Sequence, residues 1–208
     1  MHRKGKVMEI LVVTGGIGSG KSEVCRILQQ EYGCSVYNAD QRVKLLYDSH
    51  PTLLSEIEKM LGASLRDTAG KFVPARLSER IFADKDILQK VEGLVFPALT
   101  DDFSRWAQEH VSERFVVFES ATILEKPQLK GFGDKIILVD SSVETRLERA
   151  CLRDSASREK ISARMRNQNM MNSISKGEIE ADVDAVVRND GSLDDLRMNT
   201  VKVIENLF

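Results

Sequence analysis

The run from Met8 to Val13 is apolar apart from Glu9, partly β-branched and bounded by glycines. That is the pattern of a strand buried on both faces of a parallel sheet. The period then changes: Val24, Cys25, Ile27 and Leu28 recur at helical spacing between Lys21 and Tyr32, and Gly33 stands where a C′ glycine would end the helix. Ser35 to Asn38 predicts a second strand, closing at Ala39-Asp40. Between Gln41 and His110 the pattern is almost wholly helical, for example at Leu53, Leu54, Ile57, Met60 and Leu61 and again from Ile81 to Val95. The turn cluster Asp67 to Lys71, with Pro74 after it, predicts a loop and one short extended piece inside that block, and Pro97 marks a helix bend or start. Arg114 to Ser120, Lys135 to Asp140 and Asp184 to Asn189 read as strands, and Leu193 to Phe208 as a closing helix.

Strands alternating with helices imply βαβ crossovers and an open parallel sheet, with ligands beyond the carboxyl ends of the strands. We therefore expect a single domain over residues 7–208. Its core would comprise 7–40, 113–145 and 183–208, with a helical subdomain at 41–112 inserted between two strands and a lid region at 146–170.

Composition narrows the classes. The 208 residues are 42% hydrophobic and 30% charged, with four Pro and thirteen Gly, enough for one mid-sized globular domain with its own core. A formal charge of -2 provides no overall basic field for nucleic acid or anionic lipid, and aromatic residues are only 6%, so neither partner is expected. Three cysteines, Cys25, Cys34 and Cys151, without CxxC spacing, argue against a disulfide framework or a zinc site and suit a reducing cytoplasm. Ile10 to Val13 is too short for a signal-peptide core or a membrane span.

The chemistry is carried by Gly15-Gly16-Ile17-Gly18-Ser19-Gly20-Lys21-Ser22, which fits G-x-x-x-x-G-K-[ST] and sits between a predicted strand and a predicted helix. In such a loop the backbone N–H groups turn onto nucleotide phosphates, and the helix dipole adds positive charge. Lys21 would bridge the β- and γ-phosphates and Ser22 would ligate Mg²⁺. A phosphate loop is shared by motors, GTPases and small kinases. With no N-K-x-D, no D-x-x-G switch and no apolar strand ending in Asp-Glu, the class that remains is the small-metabolite kinase. A non-catalytic nucleotide-binding regulator stays as the alternative of a different class.

Arg146 to Arg166 holds seven basic residues against three acidic ones, the composition of a lid closing over ATP, or of a helix face laced with ion pairs. Arg149 and Arg153 are its candidates for phosphate contact. Asp40, read as closing the second strand, could accept the acceptor hydroxyl's proton or could cap the following helix. Glu119, ending the third strand, competes as a base or as a carboxylate that holds one of magnesium's own ligands in place.

These residues resemble the dephospho-coenzyme A kinase family. The likeness rests on the block Thr14 to Ser22, Ala39-Asp40, Arg80-Ile81-Phe82-Ala83, Leu124-Glu125, Val139 to Leu147, Arg149, Arg153-Asp154 and Asn189-Asp190-Gly191, and it runs from about Ile10 to Gly191. It implies a P-loop NTPase three-layer fold, adenylate-kinase-like, with a helical acceptor subdomain, and ATP-dependent phosphorylation of the ribose 3′-hydroxyl of dephospho-CoA. On the same basis Gly16, Gly18, Ser19, Gly20, Lys21, Ser22 and the backbone of Glu23 would hold ATP with Mg²⁺, joined by Arg149, Arg153 and Asn189. Asp40 would act as base at the acceptor ribose, and Arg80 would bind the acceptor. The chain departs from the family pattern at Glu23, where Thr is common, at Phe96-Pro97 in place of His-Pro, and at Ala121-Thr122-Ile123 in place of Pro-Leu-Leu.

Overall fold

The computed structural model describes residues 8–168, 174 and 182–208. Strands β1 (Glu9–Thr14), β2 (Val36–Asn38), β3 (Phe115–Glu119), β4 (Lys135–Asp140) and β5 (Ala185–Arg188) pair in parallel in the order β2-β3-β1-β4-β5. The helices are α1 (Lys21–Tyr32), α2 (Ala39–Ser49), α3 (Leu53–Leu61), α4 (Pro74–Ala83), α5 (Lys85–Gln108), α6 (Val143–Asp154), α7 (Arg158–Arg166) and α8 (Leu193–Leu207). Two 3-10 turns, Ile123–Glu125 and Pro127–Leu129, lie after β3 and have no counterpart in the sequence reading.

The chain divides into two units. One takes the residues up to Asn38 and from His110 onward; the other is Ala39–Glu109. The expected lid extends to 170, and its last two residues lie outside the described ones.

In the first unit, side chains of one strand parity, among them Leu11, Val13, Val117, Ile137 and Val139, pack with Val24, Ile27 and Leu28 of α1 and Leu196 and Ile204 of α8. The other parity is buried as well, at Val12, Val116, Phe118 and Leu138. The Phe118 ring lies 4.6 Å from that of Phe132 and 5.5 Å from that of Tyr37. Burial on both faces is why these strands read as unbroken apolar runs. Gly33 closes α1 in the left-handed conformation, with φ 65° and its N–H on the Gln29 carbonyl.

In the second unit, Leu53, Leu54 and Ile57 of α3 and Val91, Val95 and Leu99 of α5 are buried. Pro97 does not start a helix but lies inside the 24 residues of α5. The extended piece is a single antiparallel bridge between Arg66 and Phe72, closed by a turn in which Asp67 Oδ1 accepts the N–H groups of Ala69 and Lys71, both at 2.9 Å. Asp40 corrects the sequence reading: β2 stops at Asn38, and the chain passes directly into α2, so Asp40 sits in the first turn of that helix instead of closing a strand or capping it.

Core and surface leucines of the first unit should separate cleanly. We expect Leu28→Ala, fully buried, to cost about 2–5 kcal/mol of unfolding free energy in a urea titration, and Leu152→Ala, 82% exposed, to stay within about 0.5 kcal/mol of the parent.

Candidate active site

The site is built where β1 hands over to α1. After Thr14 the chain crosses Gly15 to Gly20 and enters α1 at Lys21, with Gly20 as the N-cap and no side-chain cap on the first amides of the helix. A helix N-terminus without a side-chain cap, with the helix dipole behind it, suits an anion. Gly18 and Gly20 have φ of 77° and 98°, which an L side chain rarely adopts. Space is also closed to them: a Cβ on Gly18 would lie 2.0 Å from the Arg146 carbonyl oxygen, and one on Gly20 2.2 Å from Asn189 Nδ2. The buried hydroxyls of Thr14 and Ser19 have no hydrogen-bond partner among the described residues. A loop that leaves buried hydroxyls unsatisfied beside an uncapped helix N-terminus is shaped for a ligand more than for its own stability.

Lys21 folds back over the loop, its Nζ donating to the carbonyls of Gly15 at 2.8 Å and Gly16 at 3.2 Å. The Ser19 N–H closes a turn on the Gly16 carbonyl at 3.1 Å, and the Ser19 side chain is fully buried, so its part in the site is to shape the loop. Ser22 donates from Oγ to Glu119 Oε1 at 2.8 Å, and Asn38 donates from Nδ2 to Glu119 Oε2 at 2.7 Å. Glu119 is 6% exposed. The strand register causes this meeting, since Glu119 pairs with Val13 on one side and with Asn38 on the other. Sequence reasoning had Glu119 but missed Asn38, whose role depends on strand order.

On the other side of β1, Asn189 follows β5. Its Nδ2 donates to the Ser19 carbonyl at 2.8 Å, and its own carbonyl accepts from Arg149 Nη1 at 2.9 Å. Asp190 accepts from Ser141 Oγ and the Ser142 N–H, and these bonds, the backbone one foremost, pull its carboxyl below the usual range. Asn189 thus supports the loop while Arg149 is fastened beside it.

The cations of the expected lid do not behave alike. Arg146 is 1% exposed and lies against the loop, so it supports the phosphate loop and does not form part of a solvent-facing lid. Burial lowers its pKa, with the charge of Asp140 acting in the opposite sense. Arg153 is exposed and bonded to Asp154, which also takes Arg164 at 2.6 Å. Hydrogen bonds from those two guanidinium groups hold Asp154 down at about 2. Glu23, the departure next to Ser22, is bonded to Arg26, which lowers its pKa and occupies its carboxylate on the helix surface. In the second unit, Asp40 and Arg80 are both exposed, in the first turn of α2 and the last turn of α4. Cys34 is buried, and burial pushes its thiol up to about 12.

Two glycines of similar backbone conformation give a test of the loop. Gly20→Ala should weaken nucleotide binding by more than about tenfold in calorimetric titration, because the methyl displaces Asn189. Gly33→Ala, with φ 65° but nothing within 4 Å, should cost only about 1–2 kcal/mol of stability and leave binding unchanged.

A sequence model of the dephospho-CoA kinase family matches residues 9–195. The dephospho-CoA kinase of Porphyromonas gingivalis is 37% identical over 164 residues, 79% of each chain. That of Chlorobaculum tepidum is 32% identical, over 99% of this chain and 98% of its own. The crystal structure of TT1252 from Thermus thermophilus superposes with a TM-score of 0.79 at 26% identity, covering 98% of this chain and 100% of that one. A phosphate loop set between the first strand and helix of a parallel sheet, in a chain matched along nearly its whole length, makes this an ATP-dependent kinase that belongs to the dephospho-CoA kinase family.

Proposed function

We propose that the chain transfers the γ-phosphoryl group of ATP to the ribose 3′-hydroxyl of dephospho-CoA, yielding CoA and ADP, through the residues assembled at the carboxyl ends of β1 and β3. The observation that carries the residue assignment is the convergence of the N-terminus of α1, which no side chain caps, the Lys21 ammonium and the Ser22–Glu119 pair on one loop.

In this reading Gly16, Gly18, Ser19, Gly20, Lys21, Ser22 and the backbone of Glu23 make the donor site. Asn189 and Arg149 border it on the β5 side, and Arg153, an exposed cation of the α6–α7 hairpin, would exchange its Asp154 partner for phosphate. Ser22 would hold Mg²⁺, with Glu119 fixing the direction of its hydroxyl; the ion, when bound, would supply charge neutralisation to the transferring phosphate. Asp40 and Arg80 serve the acceptor. Asp40 takes the 3′-hydroxyl proton as the ribose oxygen bonds to the γ-phosphorus, and the bond from that phosphorus to the β,γ-bridging oxygen breaks with its electron pair leaving on ADP. Lys21 neutralises charge on the transferring group, and orientation supplies most of the remaining rate. Among the described residues no helix is long and apolar enough to cross a membrane. We assign the reaction to the cytoplasm on the three cysteines without CxxC spacing, which suit a reducing compartment.

The test is ADP release with Mg·ATP and dephospho-CoA, AMP, UMP, gluconate or no acceptor, with product mass checked for one added phosphate. Turnover with dephospho-CoA alone is expected; ATP binding without turnover of any acceptor would overturn the assignment. Lys21→Ala should abolish turnover. Asp40→Asn should lower kcat by about 10²–10⁴-fold while changing ATP affinity little, and an unchanged kcat would remove Asp40 as the base.

A further inference from the structure

The crest of the phosphate loop is held from outside the loop. Helices α6 and α7 form a hairpin around buried Ala150, Ile161 and Met165, with Leu147, Cys151 and Ala156 packed on them, and Ile17 enters this cluster from the loop. Just past α7, Gln168 is 7% exposed and accepts the Ile17 N–H on Oε1 at 2.8 Å, across 151 residues of sequence. Arg146 closes the other side: a Cβ on Gly16 would lie 2.0 Å from its Nη1.

The Ile17 N–H belongs to the same planar peptide as the Gly16 carbonyl, so fixing one end of that plane fixes the other. The Gly16 carbonyl is the group that accepts both the Ser19 N–H at 3.1 Å and the Lys21 ammonium at 3.2 Å. A continuous path therefore runs from the Gln168 amide oxygen through the Gly16–Ile17 peptide to the Lys21 ammonium. Turning that peptide would leave a part-buried donor without its acceptor, loosen the loop's own turn and release one of the two carbonyl bonds that seat Lys21.

We propose that Gln168 is a positioning residue for ATP, setting the Gly16–Ile17 peptide so that Lys21 and the loop amides are preorganised for phosphate, and making nucleotide affinity depend on the docked α6–α7 hairpin. This rests on the reading of residues 15–22 as the phosphate loop. The side chain that sets the loop comes from the hairpin, so ordering of either one favours the other, and ATP bound to the loop stabilises the hairpin in return.

The experiment is a double-mutant cycle read by calorimetric ATP binding without acceptor, alongside steady-state kinetics. Gln168→Leu should raise the ATP dissociation constant and KM by about ten- to a hundredfold, with the KM for dephospho-CoA within about twofold of the parent. Gln168→Glu, which keeps an acceptor at the same reach, should recover most of that loss. Gln168→Asn, one methylene short, should show the loss with folding preserved if the leucine variant is poorly folded. On a Lys21→Ala background Gln168→Leu should cost several-fold less than on the parent, because one branch of the path runs through Lys21. Unchanged ATP affinity in both Gln168→Leu and Gln168→Asn, or full additivity with Lys21→Ala, would overturn the proposal. If Lys21→Ala alone left ATP affinity unchanged, the phosphate-loop reading would fall first, and this proposal with it.

Discussion

The register of β1 between β3 and β4 governs the rest of the molecule. Because Val13 pairs with Glu119 and Thr14 with Leu138, the first strand ends level with the third, and the loop leaving it must turn beside a buried carboxylate. A slip of one residue would exchange the faces of β1 and carry Glu119 away from Ser22. The bond from Ser22 to Glu119 therefore reports the sheet's alignment as well as local chemistry. Keeping an acid 6% exposed is costly unless its oxygens are satisfied, and one hydrogen bond to each oxygen, from Ser22 and Asn38, meets that need.

The loop is held on both flanks. Asn189 supports it from the β5 side through the Ser19 carbonyl, and the α6–α7 hairpin holds its crest through Ile17, Arg146 and Gln168. Glycines are required where those supports come within 2–3 Å of the positions a side chain would fill. The same closeness lets a small backbone loop present its donors in one fixed arrangement, which is the condition for stabilising charge without reorganisation at the moment of transfer.

Most of the fold was legible in the sequence because a parallel sheet buries both faces of its strands and writes them as unbroken apolar runs. β1, β3 and β5 were placed to within one residue at each end and β4 correctly at both ends, while β2 was read as closing two residues late, at Asp40. The loop was legible because its glycines, lysine and serine are consecutive. What could not be read depends on strand order or on contacts distant in sequence. Asn38 matters because β2 lies next to β3, and Gln168 because α7 folds back on the loop from 151 residues away; neither leaves a local pattern. Arg146 was misplaced for a related reason. Its helix is rich in surface cations, and nothing in the spacing marks which one turns inward. Asp40 was displaced by a short connection: with no residue between β2 and α2, a position read as a strand end became a helix turn.

That direct passage from β2 into the second unit bears on how the chain assembles. The unit from Ala39 to Glu109 is an insertion, so β2 meets its partner β3 only after the whole intervening segment has been made. Closing so long a flexible loop carries an entropic cost, and an insertion that has already formed its own core brings its two ends under tighter constraint than a random chain would. The apolar seam of α3 and α5, built from contacts inside the insertion, thus favours early formation of that unit. The carboxylate of Glu119 and the amide of Asn38 lie on opposite sides of the insertion in sequence, so their hydrogen bond forms only when the sheet closes across it.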